Sequence, residues 1–385
     1  MAGPVVGIIA NPVSARDIRR VVAHAGSLQV TDRANIVLRI LAGLAAAGIK
    51  DVVMMPENAG IRTHLGRAMM RAANTGEARF PDLAFLEMKV TGQAGDSALA
   101  ARMMRNIGVA AIIVLGGDGT HRIVVSECGN VPIAGVSSGT NNAFTETREP
   151  TVTGLGVGLA VTGAVPASTA FIANKRLEVA INGRREIALV DVAIVAERFV
   201  GSRAIWKAEG FRELFVTFGE PGGIGMSSIV GFLAPVKRAS PYGRRVIFDR
   251  PETAAFRLMA PIAPGLIEPI GIERVETIDF DQPVALTVNA GSIALDGERE
   301  ITFSDADAVS VTLRDAAFRT IDVAACMSHA AMKGSFLEPV GKRPAINMSR
   351  ENFDERQPVS AEQGKAARSL SDHADHPRIR GAAAC

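Results

Sequence analysis

The sequence predicts a two-part α/β protein, an open parallel α/β sheet followed by a mostly antiparallel β-sandwich. Three observations carry that expectation. Short apolar runs rich in Val, Ile and Ala alternate with helix-period segments up to about residue 150. Beyond it, short alternating runs separated by turn residues take over, starting with a hairpin signal at Asn182-Gly183. A chain of 385 residues, 48% hydrophobic and 21% charged, is also long enough for two cores. The expected parts are 1–148, the α/β part, and 149–333, the sandwich. In 334–385 apolar periodicity fades into Arg, Ser, Asp, Gln and Pro, which reads as a disordered tail.

In order, Val5 to Ala10 is a buried strand stopped by Pro12, with Asn11, Ser14 and Asp17 as turn and cap groups. Ile36, Leu38, Ile40, Leu41 and Leu44 populate a helix that Gly48 closes. Asp51 to Met55 is a second strand, Ile61 to Ala73 a helix with Arg62, Arg67 and Arg71 on its wetter side, and Leu83 to Met88 a third strand. Ser97 is placed to cap a helix carrying Leu99, Met103 and Ile107, and Gly108 ends it. Strands follow at Val109–Leu115 and Val131–Val136, separated by a glycine loop and a short helix. In such a sheet ligands sit at the carboxyl ends of strands, where Asn11, Gly116–Thr120 and Ser137–Asn142 fall. Gly154, Gly156 and Gly158 read as a flexible or closely packed segment.

In the second half, Leu177–Ile181 and Arg185–Val190 flank the hairpin turn. Further strands are expected at Leu214–Phe218, Ile229–Ala234, Val246–Phe248, Ala255–Met259, Val275–Phe280, Val284–Asn289, Ile301–Phe303 and Val309–Leu313. The run Gly219 to Gly225 reads as a mobile connection.

Composition removes several function classes. A net charge of +2 and 5% aromatic residues give neither a basic footprint nor stacking platforms, so nucleic acid is not an expected partner. Cys128, Cys326 and Cys385 show no metal spacing or disulfide framework, as expected of a cytoplasmic protein. No run approaches the ~20 apolar residues of a membrane span, so membrane insertion is not expected. Neither G-x-G-x-x-G after the first strand, nor G-x-x-x-x-G-K-[ST], nor G-x-S-x-G is found. His24, His64, His121 and His329 are isolated, and His373 and His376 lie in the polar tail.

The informative stretch is Leu115-Gly116-Gly117-Asp118-Gly119-Thr120. A strand running into a glycine-rich turn and then a helix is a device for holding phosphate, because backbone N–H groups and the helix N-terminus face the anion. Asp118 is out of place there. A carboxylate in a phosphate cradle repels its ligand unless a metal ion or a reacting hydroxyl stands between them. Gly-Asp-Gly is otherwise ordinary turn chemistry.

The stretch Gly116 to Thr120 resembles the signature shared by NAD kinases, diacylglycerol kinases and sphingosine kinases. Ser138-Gly139-Thr140-Asn141-Asn142-Ala143-Phe144 resembles the second nucleotide-contacting loop of that superfamily, and Leu295-Asp296-Gly297-Glu298 its late acidic element. Ile8 to Ser14 resembles its first phosphate-side loop. Over residues 1 to 330 the order of motifs is similar to that of the ATP–NAD kinase and acetoin catabolism protein X family.

That resemblance implies phosphoryl transfer to a hydroxyl from ATP, as its Mg²⁺ complex, or from another phosphate donor such as polyphosphate, with the 2′-hydroxyl of NAD as acceptor. Asp118 becomes the carboxylate that accepts the hydroxyl proton or anchors Mg²⁺. Gly116, Gly117, Gly119 and Thr120 would cradle phosphates, Asn11 would line the phosphate side, and Gly139, Thr140, Asn141 and Asn142 would hold the nucleotide. Arg16 and Arg122 are candidates for neutralising phosphate. Asp191, Asp296 and Glu298 are candidate substrate or metal carboxylates. Val190 stands where NAD kinases have an Asn before the acidic residue, which weakens the adenine contact and leaves Asp191 a ribose role or a structural one. The alternatives are a lipid or other alcohol kinase of the superfamily, and a catalytically silent nucleotide-binding regulator linked to acetoin catabolism. The expected partners are small-molecule nucleotides and further copies of the chain.

Overall fold

The apolar runs of the first half pair as parallel strands: β1 (Val5–Ala10), β2 (Asp51–Met54), β3 (Asp82–Phe85), β4 (Ala111–Gly116) and β5 (Ile133–Ser137) lie in the order β3-β2-β1-β4-β5. The computed structural model describes residues 3–12, 28–76, 80–138, 142–145, 147–197 and 210–337. β1 and β4 read as continuous Val/Ile runs because helices cover both faces of this sheet. The strand order reverses between β1 and β4, so a crevice opens at their carboxyl ends, beside Asn11 and Gly117.

The helices are α1 (Val30–Ala46), α2 (Ile61–Thr75), α3 (Ala94–Asn106), α4 (Asp118–Glu127), α5 (Pro150–Val161), α6 (Ala167–Ala170), α7 (Met226–Leu233) and α8 (Val323–Met332). Helix α1 begins before Ile36 and brings Arg33 onto the buried face with Val37, Ile40 and Leu44. Acidic side chains cap several helices. Glu57 accepts from the amides of Ala59, Gly60 and Arg62 ahead of α2, and Asp96 from those of Thr91 and Gly92. The expected cap Ser97 lies instead inside α3, whose N-cap is Gln93. Its hydroxyl is buried against the Met55 sulfur at 3.9 Å. Gly154, Gly156 and Gly158 are closely packed positions within α5, Gly154 and Gly158 against α1 and its C-terminal end and Gly156 against Val323 of α8. A Cβ at Gly154 would strike the carbonyl oxygen of Ile40, and one at Gly43 that of Thr151, so α1 and α5 cross with their backbones in contact.

The second half contributes β6 (Phe171–Ile181), β7 (Arg184–Ala188), β8 (Asp191–Val195), β9 (Phe211–Val216), β10 (Gly243–Asp249), β11 (Phe256–Ala263), β12 (Leu266–Ile278), β13 (Val284–Ala285), β14 (Gly291–Leu295), β15 (Glu298–Phe303) and β16 (Val309–Ile321). The β6–β7 turn has Asn182 at φ 47° and Gly183 at φ 79°, the positive pair a two-residue hairpin requires. Strand β16 returns to lie beside β5 and continues the first sheet into an antiparallel arm with β6 and β7. A second, antiparallel sheet runs β11-β12-β10-β9-β8-β14-β15. Leu177, Val179, Ile194, Phe215, Ile293 and Leu313 fill the space between that arm and the second sheet, which makes a sandwich.

The run expected as a strand at Ile229–Ala234 is part of helix α7. Six apolar residues fit either state, and the deciding factor is the second sheet's outer face, which α7 covers with Met226, Ile229 and Val230. The segment expected at Val284–Asn289 pairs over Val284–Ala285 alone. A further core joins the two halves: Leu189, Val190, Phe218, Val236 and Phe318 pack with Ile9 and Val114 of the parallel sheet, Val124 of α4 and Phe144.

Candidate active site

Asp118 is the first residue of α4, and Gly117 is its N-cap, with φ −87° and ψ 178°. A glycine cap has no side chain to accept from the first-turn amides, so those of Asp118 and Gly119 have no intrahelical acceptor. The carbonyl of Gly117 accepts from the amides of Thr120 at 3.0 Å and His121 at 3.1 Å, and from the His121 ring Nδ1 at 2.8 Å. That contact fixes the tautomer with the proton on Nδ1. Burial then holds the imidazole down to about 4, so it is neutral at working pH.

The loop glycines differ in what they do. A Cβ at Gly116 would lie 2.6 Å from the Thr120 Cβ, so Gly116 is required by the fold of the loop itself. At Gly119 the nearest atoms to an added Cβ are the Glu298 carboxyl atoms at 3.9 Å, which leaves the backbone open to an approaching group. Thr120 accepts from the Asn11 side-chain amide at 3.0 Å, and the Asn11 amide donates to Leu115 O at 3.0 Å. The ends of β1 and β4 are thereby tied together. Arg33 reaches in from α1 and donates to the Asn11 carbonyl at 2.7 Å.

The Asp118 carboxylate is buried and accepts from two backbone amides of the second loop, Ala143 N at 2.7 Å and Phe144 N at 3.2 Å. Burial, reinforced by the nearby Asp296 charge, pushes this carboxyl up to about 7. The two amides and Arg238 oppose the rise. Asp296 sits on the β14–β15 turn with φ 51°. Its carboxylate accepts from the successive amides of Leu189, Val190 and Asp191 and pairs with Arg122 Nε at 3.5 Å, while burial pushes its proton affinity up. Asp191 is buried at the head of β8, and its carbonyl accepts from the Asp296 amide at 2.9 Å. Asn142 donates to the Ser137 hydroxyl at 2.6 Å.

The structure thus gathers Asn11, Gly116, Gly117, Asp118, Gly119, Thr120, Asn142, Asp296 and Glu298 around the crevice between β1 and β4, with Asp191 tied to Asp296. Gly139, Thr140, Asn141 and Arg16 lie outside the described residues. Arg122, a candidate for phosphate, is turned to Asp296. Three residues escape a motif-based reading: Arg33, Arg238 and His121. Arg33 has a signal, since it falls three and four residues before Ile36 and Val37 on an apolar helix face. Arg238 has none, because its hydrogen-bond partners lie more than 90 residues away.

Residues 175–316 match the family model of the acetoin catabolism protein X C-terminal domain, and residues 6–155 that of the ATP-NAD kinase N-terminal domain. Acetoin catabolism protein X of Cupriavidus necator is 52% identical over 332 residues, covering 85% of this chain and 92% of that protein. The chain belongs to the acetoin catabolism protein X family. A crystal structure of yeast NADH kinase complexed with NADH is similar at 13% identity and a TM-score of 0.45, over 89% of this chain and 91% of that one.

For this member of the acetoin catabolism protein X family, the NAD-kinase-type first half brings a kinase-like, nucleotide-binding architecture. Among the described residues no group of three or more His, Cys, Asp or Glu could hold a metal ion. Two of the carboxylates at the site are already engaged, Asp118 by backbone amides and Asp296 by backbone amides and Arg122. Among the described residues no helix is long and apolar enough to cross a membrane.

Proposed function

We propose that the chain is a phosphotransferase that moves the terminal phosphoryl group of ATP to an alcohol, with the 2′-hydroxyl of NAD as first acceptor. The carrying observation is Asp118, a buried carboxyl held near neutrality at an uncapped helix N-terminus in the crevice between β1 and β4. An alcohol in transfer needs a proton acceptor within hydrogen-bond reach, and a carboxylate titrating near 7 is matched to that task. Each Asp118 oxygen keeps a second lone pair beyond the amide it accepts from.

In this reading residues 1–148 carry the phosphate cradle and 149–333 supply the walls. The first-turn amides of α4 and the open backbone at Gly119 receive phosphate, with Gly116, Gly117 and Thr120 shaping the loop. Gly139 to Asn142 hold the nucleotide, and Asp191, Asp296 and Glu298 face the acceptor side. Magnesium arrives with ATP as part of the substrate and neutralises phosphate charge. The chain's own contribution is positioning and the proton. We place the protein in the cytoplasm, as a homo-oligomer.

A second reading is a nucleotide-binding regulator without turnover. It is favoured by the double amide grip on Asp118, which also suits a carboxylate that only pins the second loop, and by Val190 in place of an amide side chain. Protein incubated with ATP, Mg²⁺ and NAD separates the two. NADP formation supports the kinase. Saturable nucleotide binding with no ADP released to NAD, to diacylglycerol vesicles or to other alcohols establishes the regulator.

A further inference from the structure

Arg238 lies on the segment between α7 and β10, in the second half of the chain, yet its guanidinium reaches the loop that holds Asp118. Its Nη2 donates to Ala143 O at 3.2 Å and to Phe144 O at 2.5 Å. The guanidinium stacks over the Phe218 ring at 4.0 Å and faces Phe144 at 5.2 Å. The peptide between Ala143 and Phe144 is therefore bridged at both ends. Its carbonyl accepts from Arg238 and its N–H donates to Asp118 Oδ1. A guanidinium on one side of an amide polarises it, strengthening the hydrogen bond that the N–H gives to a carboxylate on the other.

We propose that Arg238 is a positioning residue for Asp118, acting through the Ala143–Phe144 peptide, so that the second half of the chain orients the reacting carboxylate of the first. The inference rests on the reading of Asp118 as that carboxylate. Two features make the strut stiff. The Arg238 segment is nailed at its base by Lys175, whose ammonium donates to the carbonyls of Lys237, Ser240 and Tyr242 at 3.3, 2.8 and 2.8 Å. It is also bridged by the Gly219–Val236 pair, with both N···O distances 2.9 Å. On the loop side the Phe144 ring is held between His121 and Phe318, with centroids 5.7 and 5.8 Å away. Simple packing would need only an apolar side chain over Phe218. The two carbonyl bonds need a polar donor, and both come from one guanidinium nitrogen.

The test combines amide hydrogen exchange with kinetics on Arg238→Gln, Arg238→Lys and Asp118→Asn in the full chain. In Arg238→Gln the Phe144 amide should exchange on the order of tenfold faster while amides of β4 keep the parent's rates. With ATP and NAD, kcat should fall by on the order of 10- to 100-fold with KM for ATP within about twofold. Arg238→Lys should recover part of the loss. In the Asp118→Asn background, Arg238→Gln should cost less than about twofold, since the group it positions is gone. Unchanged Phe144 exchange in Arg238→Gln, or a kcat loss that multiplies in full on Asp118→Asn, overturns the inference. Where no acceptor is turned over, the proposed activity fails, but the exchange rates still decide whether Arg238 holds the loop on Asp118.

Discussion

Replacing Asp118 by Asn should change how stability depends on pH, and the size follows from the site. The Asp118 carboxyl rises from an ordinary value of 3.8 to about 7 because folding takes it out of water next to Asp296. A raised carboxyl binds its proton more tightly in the folded chain than in the unfolded one. Its contribution to stability is therefore complete below pH 3.8 and drains away as the pH climbs through about 7. Three units correspond to about 4 kcal/mol, spread at roughly 1.4 kcal/mol per pH unit. Asn cannot titrate, and its mismatch with the Ala143 and Phe144 amides is a constant offset that leaves the slope untouched. Urea unfolding of parent and Asp118→Asn at half-unit steps from pH 4 to pH 8 gives the difference directly. The parent should lose ground to the variant steadily up to about pH 7 and then level off. A difference that stays flat over that range refutes the burial argument, and with it the idea that the fold holds this carboxyl near neutrality for use as a base.

Three further outcomes are expected. Gly119→Ala should stabilise the protein by about 0.5–1 kcal/mol in thermal unfolding, since Ala is the better helix former and the added Cβ meets nothing closer than 3.9 Å. ATP affinity, read by calorimetry, should nonetheless fall if phosphate lies against that backbone, and an unchanged affinity removes Gly119 from the cradle. Gly154→Ala should destabilise by about 2–4 kcal/mol in urea, because its Cβ would run into the Ile40 carbonyl of a crossing helix that has no flexible atom to yield. His121, held down from 6.5 to about 4, should act with the sign opposite to Asp118. Its contribution is present above pH 6.5 and disappears as the pH falls through about 4, a loss of about 3 kcal/mol that His121→Phe should not show in acid unfolding curves.

The elements visible in the sequence are those whose cause is local. β4 is a six-residue apolar run with every position buried. The Asn182-Gly183 and Asp296-Gly297 turns carry the side chains that tolerate positive φ, and the structure puts all four there. The placing of Asn11 and the Gly116–Thr120 loop at one crevice follows from strand alternation alone, because a parallel sheet collects its strand ends on one side. Where two structures share one local pattern, the sequence could not choose. The run at Ile229–Ala234 is helical because the second sheet needed a cover, and Ser97 lies inside α3, buried against Met55, while the Asp96 carboxylate takes the amides ahead of the helix.

By itself, then, the sequence determined the alternation of strands and helices, the hairpins and the acidic glycine loop, each of which depends on neighbours within a few residues. The tertiary structure alone decided the protonation and orientation of the site. Burial and the nearby Asp296 push the Asp118 carboxyl up to about 7, against the opposing pull of two amides about 25 residues on and an arginine 120 residues along the chain. Electrostatic and hydrogen-bond energies depend on distance in space, and no spacing in the chain encodes that Arg238 and Asp118 would meet across one peptide bond.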